Sequence, residues 1–307
     1  MTNITRRDYL MGTAAISAAA LTSNLCARPK NRVLPGNNIQ YGLVTYMWGA
    51  KWDLETLITN CEQARCYGVE LRTTHSHGVE PSLNDEQRRD VVKRFADSPV
   101  TMVGIGSNER YDNPDPAVVK QAIEKTKDFI RLSHDVGGTG VKVKPDRFYD
   151  VVPREKTIEQ IGMALNELGE YAAGWGQQIR LEVHGQCAEL PTIKAIMDVA
   201  TNQNVAICWN CNQQDLQGEG LEHNFNLVKD RFGATAHVRP FYVEDYPTVD
   251  YLRMLIEMDY AGWFMLEQGA LPKGDLVAAL LEETTQFAEI KGGLQQEVYK
   301  AQRRKKP

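Results

Sequence analysis

The chain has 307 residues, of which 42% are hydrophobic and 24% are charged, and its formal net charge at pH 7 is −5. This composition is that of an ordinary globular protein, and the length suits one α/β barrel of about 250 residues with short extensions. The acidic balance leaves no basic surface for nucleic acid, so we expect no nucleic-acid partner.

The first segment, residues 1–27, resembles a twin-arginine signal peptide. Arg6 and Arg7 precede a mildly apolar stretch, residues 11–21, that is rich in alanine. This stretch is shorter than the roughly 20 apolar residues that cross a bilayer. We therefore expect cleavage near Ala27, a periplasmic location and no stable membrane anchor after cleavage. The alternative is an unstructured N-terminus with a chance pair of arginines.

Short β-rich runs and helical segments then alternate eight times along the chain. The helical segments have typical N-terminal signals, such as Asp53, Asn84 and the Asp115-Pro116 pair. The predicted strands are 41–46, 68–73, 100–106, 140–144, 178–184, 205–210, 235–239 and 262–267. Eight such units predict a single (β/α)8 TIM barrel over residues 38–292, followed by a basic C-terminal tail at 293–307.

Five cysteines remain after the leader, and they show no spacing typical of a disulfide framework. Cys208 and Cys211 have the spacing of a redox pair, but they stand at a strand end and not at a helix start. We expect them to be buried or rim thiols.

The last four predicted strands each carry a polar side chain at the end where a TIM barrel holds its chemistry. Glu182, Asn210, His237 and Glu267 occupy these positions. Two carboxylates, an amide and an imidazole form a ligand set suited to a divalent ion such as Mn²⁺, Mg²⁺, Co²⁺ or Zn²⁺. The pattern predicts a metal-dependent enzyme.

The motifs LEVHG, CWN, HVR and MLEQG, in this order, resemble the sugar phosphate isomerase/epimerase superfamily, which has the xylose isomerase-like TIM barrel. The resemblance implies that Glu182, Asn210, His237 and Glu267 hold the metal. Asn210 replaces the usual aspartate, and Asn212 is an alternative ligand. The resemblance also implies that Glu182 and Glu267 serve as acid and base in enediolate chemistry next to a carbonyl. His184 shares a strand face with Glu182, and an imidazole suits proton transfer near neutral pH, so we expect it to be a further catalytic group.

Several other side chains near the predicted strand ends are candidates for sugar binding. Trp48 follows the first strand, His75 and His77 follow the second, Lys144 ends the fourth and Arg239 ends the seventh. Trp48 would stack on a sugar ring, and the other four would bind its oxygen atoms. An ordinary polar loop is the alternative for the two histidines.

The leading hypothesis is a metal-dependent sugar isomerase or epimerase that acts on a small-molecule carbohydrate. A lyase that cleaves 3-keto-glycosides by β-elimination at the same site is the alternative, and export favours glycosides over sugar phosphates. A non-catalytic sugar-binding barrel is the third reading, because Asn210 weakens the ligand set. The sequence leaves open whether the chain forms a homo-oligomer.

Overall fold

Eight parallel strands form a closed barrel in a computed structural model that describes residues 33–304. The strands are β1 Ile39–Val44, β2 Gly68–Arg72, β3 Thr101–Arg110, β4 Gly140–Lys144, β5 Gln178–Glu182, β6 Val205–Asn210, β7 Phe232–Val238 and β8 Gly262–Leu266. Strand β8 pairs with β1, which closes the barrel. The predicted (β/α)8 barrel is confirmed. The predicted leader lies outside the described residues.

One long helix follows each strand and packs outside the barrel. The helices are α1 Leu54–Gln63, α2 Asp85–Ala96, α3 Pro116–Asp135, α4 Arg154–Ala173, α5 Leu190–Val199, α6 Leu221–Val228, α7 Thr248–Glu257 and α8 Leu276–Arg304. The expected N-terminal signals operate at the first three. Asp53 caps α1, Asn84 forms a capping box with Gln87 at α2, and Asp115 caps α3. No helix within residues 33–304 is long and apolar enough to span a membrane.

The last helix differs from the expected C-terminal tail. Helix α8 continues without interruption to Arg304, well beyond the predicted barrel boundary at residue 292. Leu294 and Val298, four residues apart, lie on one face and are buried. Gln295 is also buried and donates a hydrogen bond to the Pro35 carbonyl. Residues 293–304 therefore pack on the domain as a continuation of the helix.

Outward-facing strand residues form the core between barrel and helices. Trp209 on β6 is fully buried there, stacks on Tyr251 at 5.2 Å between ring centroids, and donates to the Tyr246 hydroxyl. A sugar therefore cannot stack on this indole.

The barrel interior, by contrast, is strongly charged. Five inward-facing side chains from four strands are buried within it: Glu70, Lys142, Arg180, Glu182 and His237. Glycines on β3 make room for them, since a Cβ atom at Gly104 would lie 2.9 Å from Arg180 Nη1 and one at Gly106 would lie 2.9 Å from Glu70 Oε1. Buried charges are costly unless they are paired, so this interior indicates a functional site above it.

Candidate active site

Three predicted ligands converge at the carboxyl ends of β5, β7 and β8. Ligand atoms of Glu182, His237 and Glu267 all lie within 4.8 Å of one another. His237 Nδ1 is 3.2 Å from Glu267 Oε2 and 3.5 Å from Glu182 Oε1. Ligand atoms that share one metal ion at about 2.0–2.2 Å lie roughly 3–3.5 Å apart, so the spacing fits a divalent ion. His237 Nδ1 is buried without a hydrogen-bond partner in the described structure and faces the two carboxylates.

Glu70 on β2 fixes the orientation of the imidazole. Its Oε1 is 3.0 Å from His237 Nε2, and both side chains are fully buried. A ligating histidine commonly uses its second ring nitrogen in this way, because the bond to a carboxylate sets the tautomer and the ring plane. The pairing therefore directs Nδ1 towards Glu182 and Glu267.

The pKa values of these groups follow from burial and from their mutual charges. Burial opposes ionisation of Glu182, but the Lys142 ammonium and His237 outweigh it and hold the pKa of Glu182 well below its usual value. The pKa of Glu267 is lowered too, because His237 outweighs burial and the repulsion from Glu182. Burial disfavours the charged imidazole, yet Cys208 and the carboxylates of Glu70 and Glu267 raise the pKa of His237 well above its usual value.

Both oxygens of Glu182 also accept hydrogen bonds from neighbouring side chains. Lys142 Nζ lies 2.7 Å from Oε2, and Asn210 Nδ2 donates to Oε1 at 3.1 Å. Asn210 thus stands beside the three candidate ligands, with its amide nitrogen turned towards Glu182. The Asn212 amide instead donates to the backbone carbonyls of Val183 and Asn210, so it holds the loop after β6.

A cavity of about 370 Å³ opens above this cluster, a size suited to a small polar ligand. Six of the predicted site residues line it: Lys144, Glu182, His184, Asn210, Arg239 and Glu267. The others on its wall are Tyr46, Arg72, Cys211, Asn212, Gln268 and Gly269. Arg72, Lys144 and Arg239 place cationic side chains on this wall, which suits a ligand rich in oxygen atoms.

The structure does not bring Trp48, His75 or His77 to this cavity. Trp48 is buried in the core, and its Nε1 donates to the Ala270 carbonyl. His77 is buried, its Nε2 lies 2.7 Å from the Arg72 carbonyl oxygen, and its Nδ1 accepts from the Val79 amide. Burial lowers the pKa of His77 to about 4. These contacts make Trp48 and His77 structural residues, and half-buried His75 belongs to the same loop.

A histidine–aspartate pair stands on the cavity wall above β5. His184 Nδ1 is 2.7 Å from Asp146 Oδ1, while the other oxygen of Asp146 accepts from Arg110 Nη1 at 2.5 Å. Although burial opposes it, these two hydrogen bonds hold the pKa of Asp146 below its usual value. Asp146 adopts a left-handed φ of 63°, and its carbonyl accepts from the Gln186 amide. The loop therefore holds a strained residue in place to orient His184.

Sequence reasoning missed Asp146 and undervalued Lys142 and Arg72. Lys142 alternates with Val141 and Val143 and therefore shares a strand face with Lys144. Arg72 lies two residues after Glu70 and therefore on the same strand face, 3.9 Å from Glu267 Oε1. Asp146 lies in a loop, and nothing in the sequence indicates its partner, 38 residues away.

Comparison with known proteins agrees with this fold. A family model described as "Xylose isomerase-like TIM barrel" matches residues 58–284. No match was found among curated proteins.

Three solved structures illustrate the similarity of fold. L-ribulose 3-epimerase has a TM-score of 0.73 and 15% identity over 88% of this chain and 100% of its own. The 3-keto-D-glucoside 4-epimerase of E. coli has a TM-score of 0.67 and 11% identity over 82% and 99%. The IOLI protein, solved with a bound zinc atom, has a TM-score of 0.69 and 16% identity over 83% and 99%.

Proposed function

This chain belongs to the xylose isomerase-like TIM barrel family, and we propose that it is a metal-dependent sugar epimerase or isomerase. The observation that carries the proposal is the convergence of Glu182, His237 and Glu267 beneath a cavity lined by cationic donors. Sugar epimerases among the similar structures support it. The zinc atom bound in the structure of the IOLI protein supports the use of a divalent ion.

Glu182, His237 and Glu267 would hold the ion, with Asn210 beside them. Bound there, the ion would polarise a carbonyl and an adjacent hydroxyl of the sugar and so acidify the C–H bond between them. The chain itself supplies the proton transfer. Glu267 lies at the cavity floor with 12% of its side chain exposed, so it can reach a substrate proton, whereas Glu182 is 1% exposed.

A carboxylate that removes the proton leaves an enediolate, and return of a proton to the other face gives the epimer. His184 stands on the β5 side of the cavity and Glu267 on the β8 side, three strands apart around the barrel. Groups on two sides of a bound sugar permit removal at one face and delivery at the other. Lys144, Arg72 and Arg239 would bind the sugar oxygens.

The His184–Asp146 pair favours the lyase as a second candidate. β-Elimination from a 3-keto-glycoside needs a proton donor for the departing glycosidic oxygen, in addition to the base that forms the enolate. His184, oriented by Asp146, is placed for that task. Export to the periplasm, which we propose from Arg6 and Arg7, would bring the protein to glycosides.

The decisive experiment is turnover in D₂O with a metal-reconstituted enzyme, offered keto-sugars and 3-keto-glycosides. We expect an epimerase to leave solvent deuterium at the carbon next to the carbonyl of its product, and either activity to be slower with substrate deuterated at that carbon. An epimerase gives an isomer, whereas a lyase releases the aglycone and an unsaturated keto-sugar. Glu257→Gln is the matched control for the Glu267→Gln variant discussed below. Glu257 is an exposed carboxyl at the end of α7, so this control should exchange deuterium like the wild type. Turnover without exchange or isotope effect would contradict enolate chemistry, and sugar binding without turnover would indicate the non-catalytic barrel.

A further inference from the structure

We propose that the Lys142 ammonium competes with a divalent metal ion for the Glu182 carboxylate, so that this site binds the ion weakly and exchanges it readily. The inference rests on the metal site of the proposed function and concerns its affinity. Lys142 acts as an internal counter-ion of Glu182 and thereby lowers the affinity of the site for metal.

The contact that carries the inference is short and sealed from solvent. Lys142 Nζ is 2.7 Å from Glu182 Oε2, and the two side chains are 0% and 1% exposed. A surface lysine would swing into water when a metal approached. Lys142 cannot do so, because its whole length lies inside the barrel, between the strand β4 backbone and the ligand cluster. The ammonium therefore stays beside any ion that Glu182 binds.

The charges around the cluster are already balanced without a metal. Glu70, Glu182 and Glu267 supply three negative charges, and Lys142, Arg180 and Arg72 supply three positive charges in the same interior, before any charge on His237 is counted. Repulsion between like charges is strong where water is excluded, because the effective dielectric constant is low. An arriving divalent ion thus meets carboxylates that are already neutralised.

The second donor to Glu182 acts in the same direction. Asn210 Nδ2 donates to Oε1, the same oxygen that faces His237 Nδ1. A metal that takes this oxygen must displace or share the amide hydrogen bond, whereas an aspartate at position 210 would add a negative charge and no donor. Lys142 and Asn210 together occupy both oxygens that Glu182 could offer to an ion.

The test is the affinity for Mn²⁺ alone, measured by titration calorimetry on the metal-free full-length protein and its variants. We expect Lys142→Met to bind Mn²⁺ at least about tenfold more tightly than the wild type, which corresponds to about 1.4 kcal/mol. The matched control is Lys144→Met. Lys144 lies two residues along β4 and lines the cavity without an ion pair to Glu182, so we expect a change below about threefold.

Several results would overturn the proposal. These are an unchanged or weaker affinity in Lys142→Met, an equal gain in Lys144→Met, Mn²⁺ binding by neither protein, or wild-type affinity in the nanomolar range. Should Lys142→Met unfold when metal-free, refolding on addition of Mn²⁺, read by circular dichroism, supports the proposal, because the ion then replaces the ammonium. If it stays unfolded with Mn²⁺, the proposal fails, since Lys142 is then structural. The readout needs no sugar, so failure of the proposed activity is seen separately, in the D₂O assay.

Discussion

Glu70 and His237, 167 residues apart in the chain and on β2 and β7, are joined inside the barrel by a 3.0 Å contact between Oε1 and Nε2. This contact leaves Nδ1 as the only ring nitrogen that faces the ligand cluster. The orientation of the ligand thus depends on a residue that does not touch the metal position.

Replacing Glu70 by Gln should weaken Mn²⁺ binding by about 10–100-fold, because the amide no longer fixes the imidazole in the same charge state and tautomer. Calorimetric titration with Mn²⁺ measures the change. A thermal melt of the metal-free variant checks that the barrel still folds. Wild-type affinity in a folded Glu70→Gln protein would show that the pairing has no influence on the ligand.

Replacing Glu267 by Gln should abolish turnover and also the exchange of the substrate proton with solvent, because the variant lacks the most accessible carboxylate at the cavity floor. Replacing Glu182 by Gln should abolish turnover mainly through loss of metal. We expect the two variants to differ in bound metal, measured by elemental analysis, with Glu182→Gln retaining less. Full activity of either variant would remove that carboxylate from the mechanism.

Replacing Asp146 by Asn should lower kcat by about tenfold or more and change KM less, because His184 loses the acceptor that orients its ring. Asp150→Asn is the control, since Asp150 is exposed on the same loop. Steady-state kinetics on the best substrate of the D₂O assay measure both constants. Equal kinetics in the two variants would assign Asp146 a purely structural role in its loop.

Asp215 should make the stability of the fold depend on pH. Burial raises the pKa of Asp215 to about 7, against about 3.9 in the unfolded chain, and its Oδ1 has no hydrogen-bond partner in the described structure. The folded state therefore holds a proton that the unfolded chain releases above about pH 4. The contribution favours folding below pH 4 and is lost as the pH rises to 7, by a few kcal/mol at most.

Asp215→Asn removes that titration and tests the sign. The free energy of unfolding of the variant minus that of the wild type should rise between pH 4 and 7 and stay level above pH 7. Urea unfolding at several pH values measures both. A constant difference across this range would mean that Asp215 is ionised in the folded protein.

Replacing Arg6 and Arg7 by Lys should leave the protein in the cytoplasm, because a receptor recognises the arginine pair of a twin-arginine signal. Cell fractionation with antibody detection measures the distribution. Unchanged export would show that the pair is incidental and would weaken the case for a periplasmic substrate.

The alternation of strands and helices was enough to predict the barrel, and the barrel rule was enough to place Glu182, His237 and Glu267 together, because parallel strand ends converge on one rim. Strand alternation predicts which face of the sheet a side chain lies on, but it does not predict which side chains touch. Lys142 and Lys144 share a face of β4, and only the structure shows that Lys142 is the one that contacts Glu182. The sequence also did not predict that the His77 ring would form hydrogen bonds with the backbone of its own loop, or that Trp48 would be buried in the core.

The five cysteines of the described residues are all buried and unpaired. Cys211 borders the active-site cavity, but the other four are enclosed by the core, so a reagent can reach them only after the domain opens. The rate of opening then determines how long these four thiols survive chemically. The rate at which iodoacetamide labels Cys61, Cys66, Cys187 and Cys208 in the native protein would therefore measure the kinetic stability of the barrel, without any knowledge of its substrate.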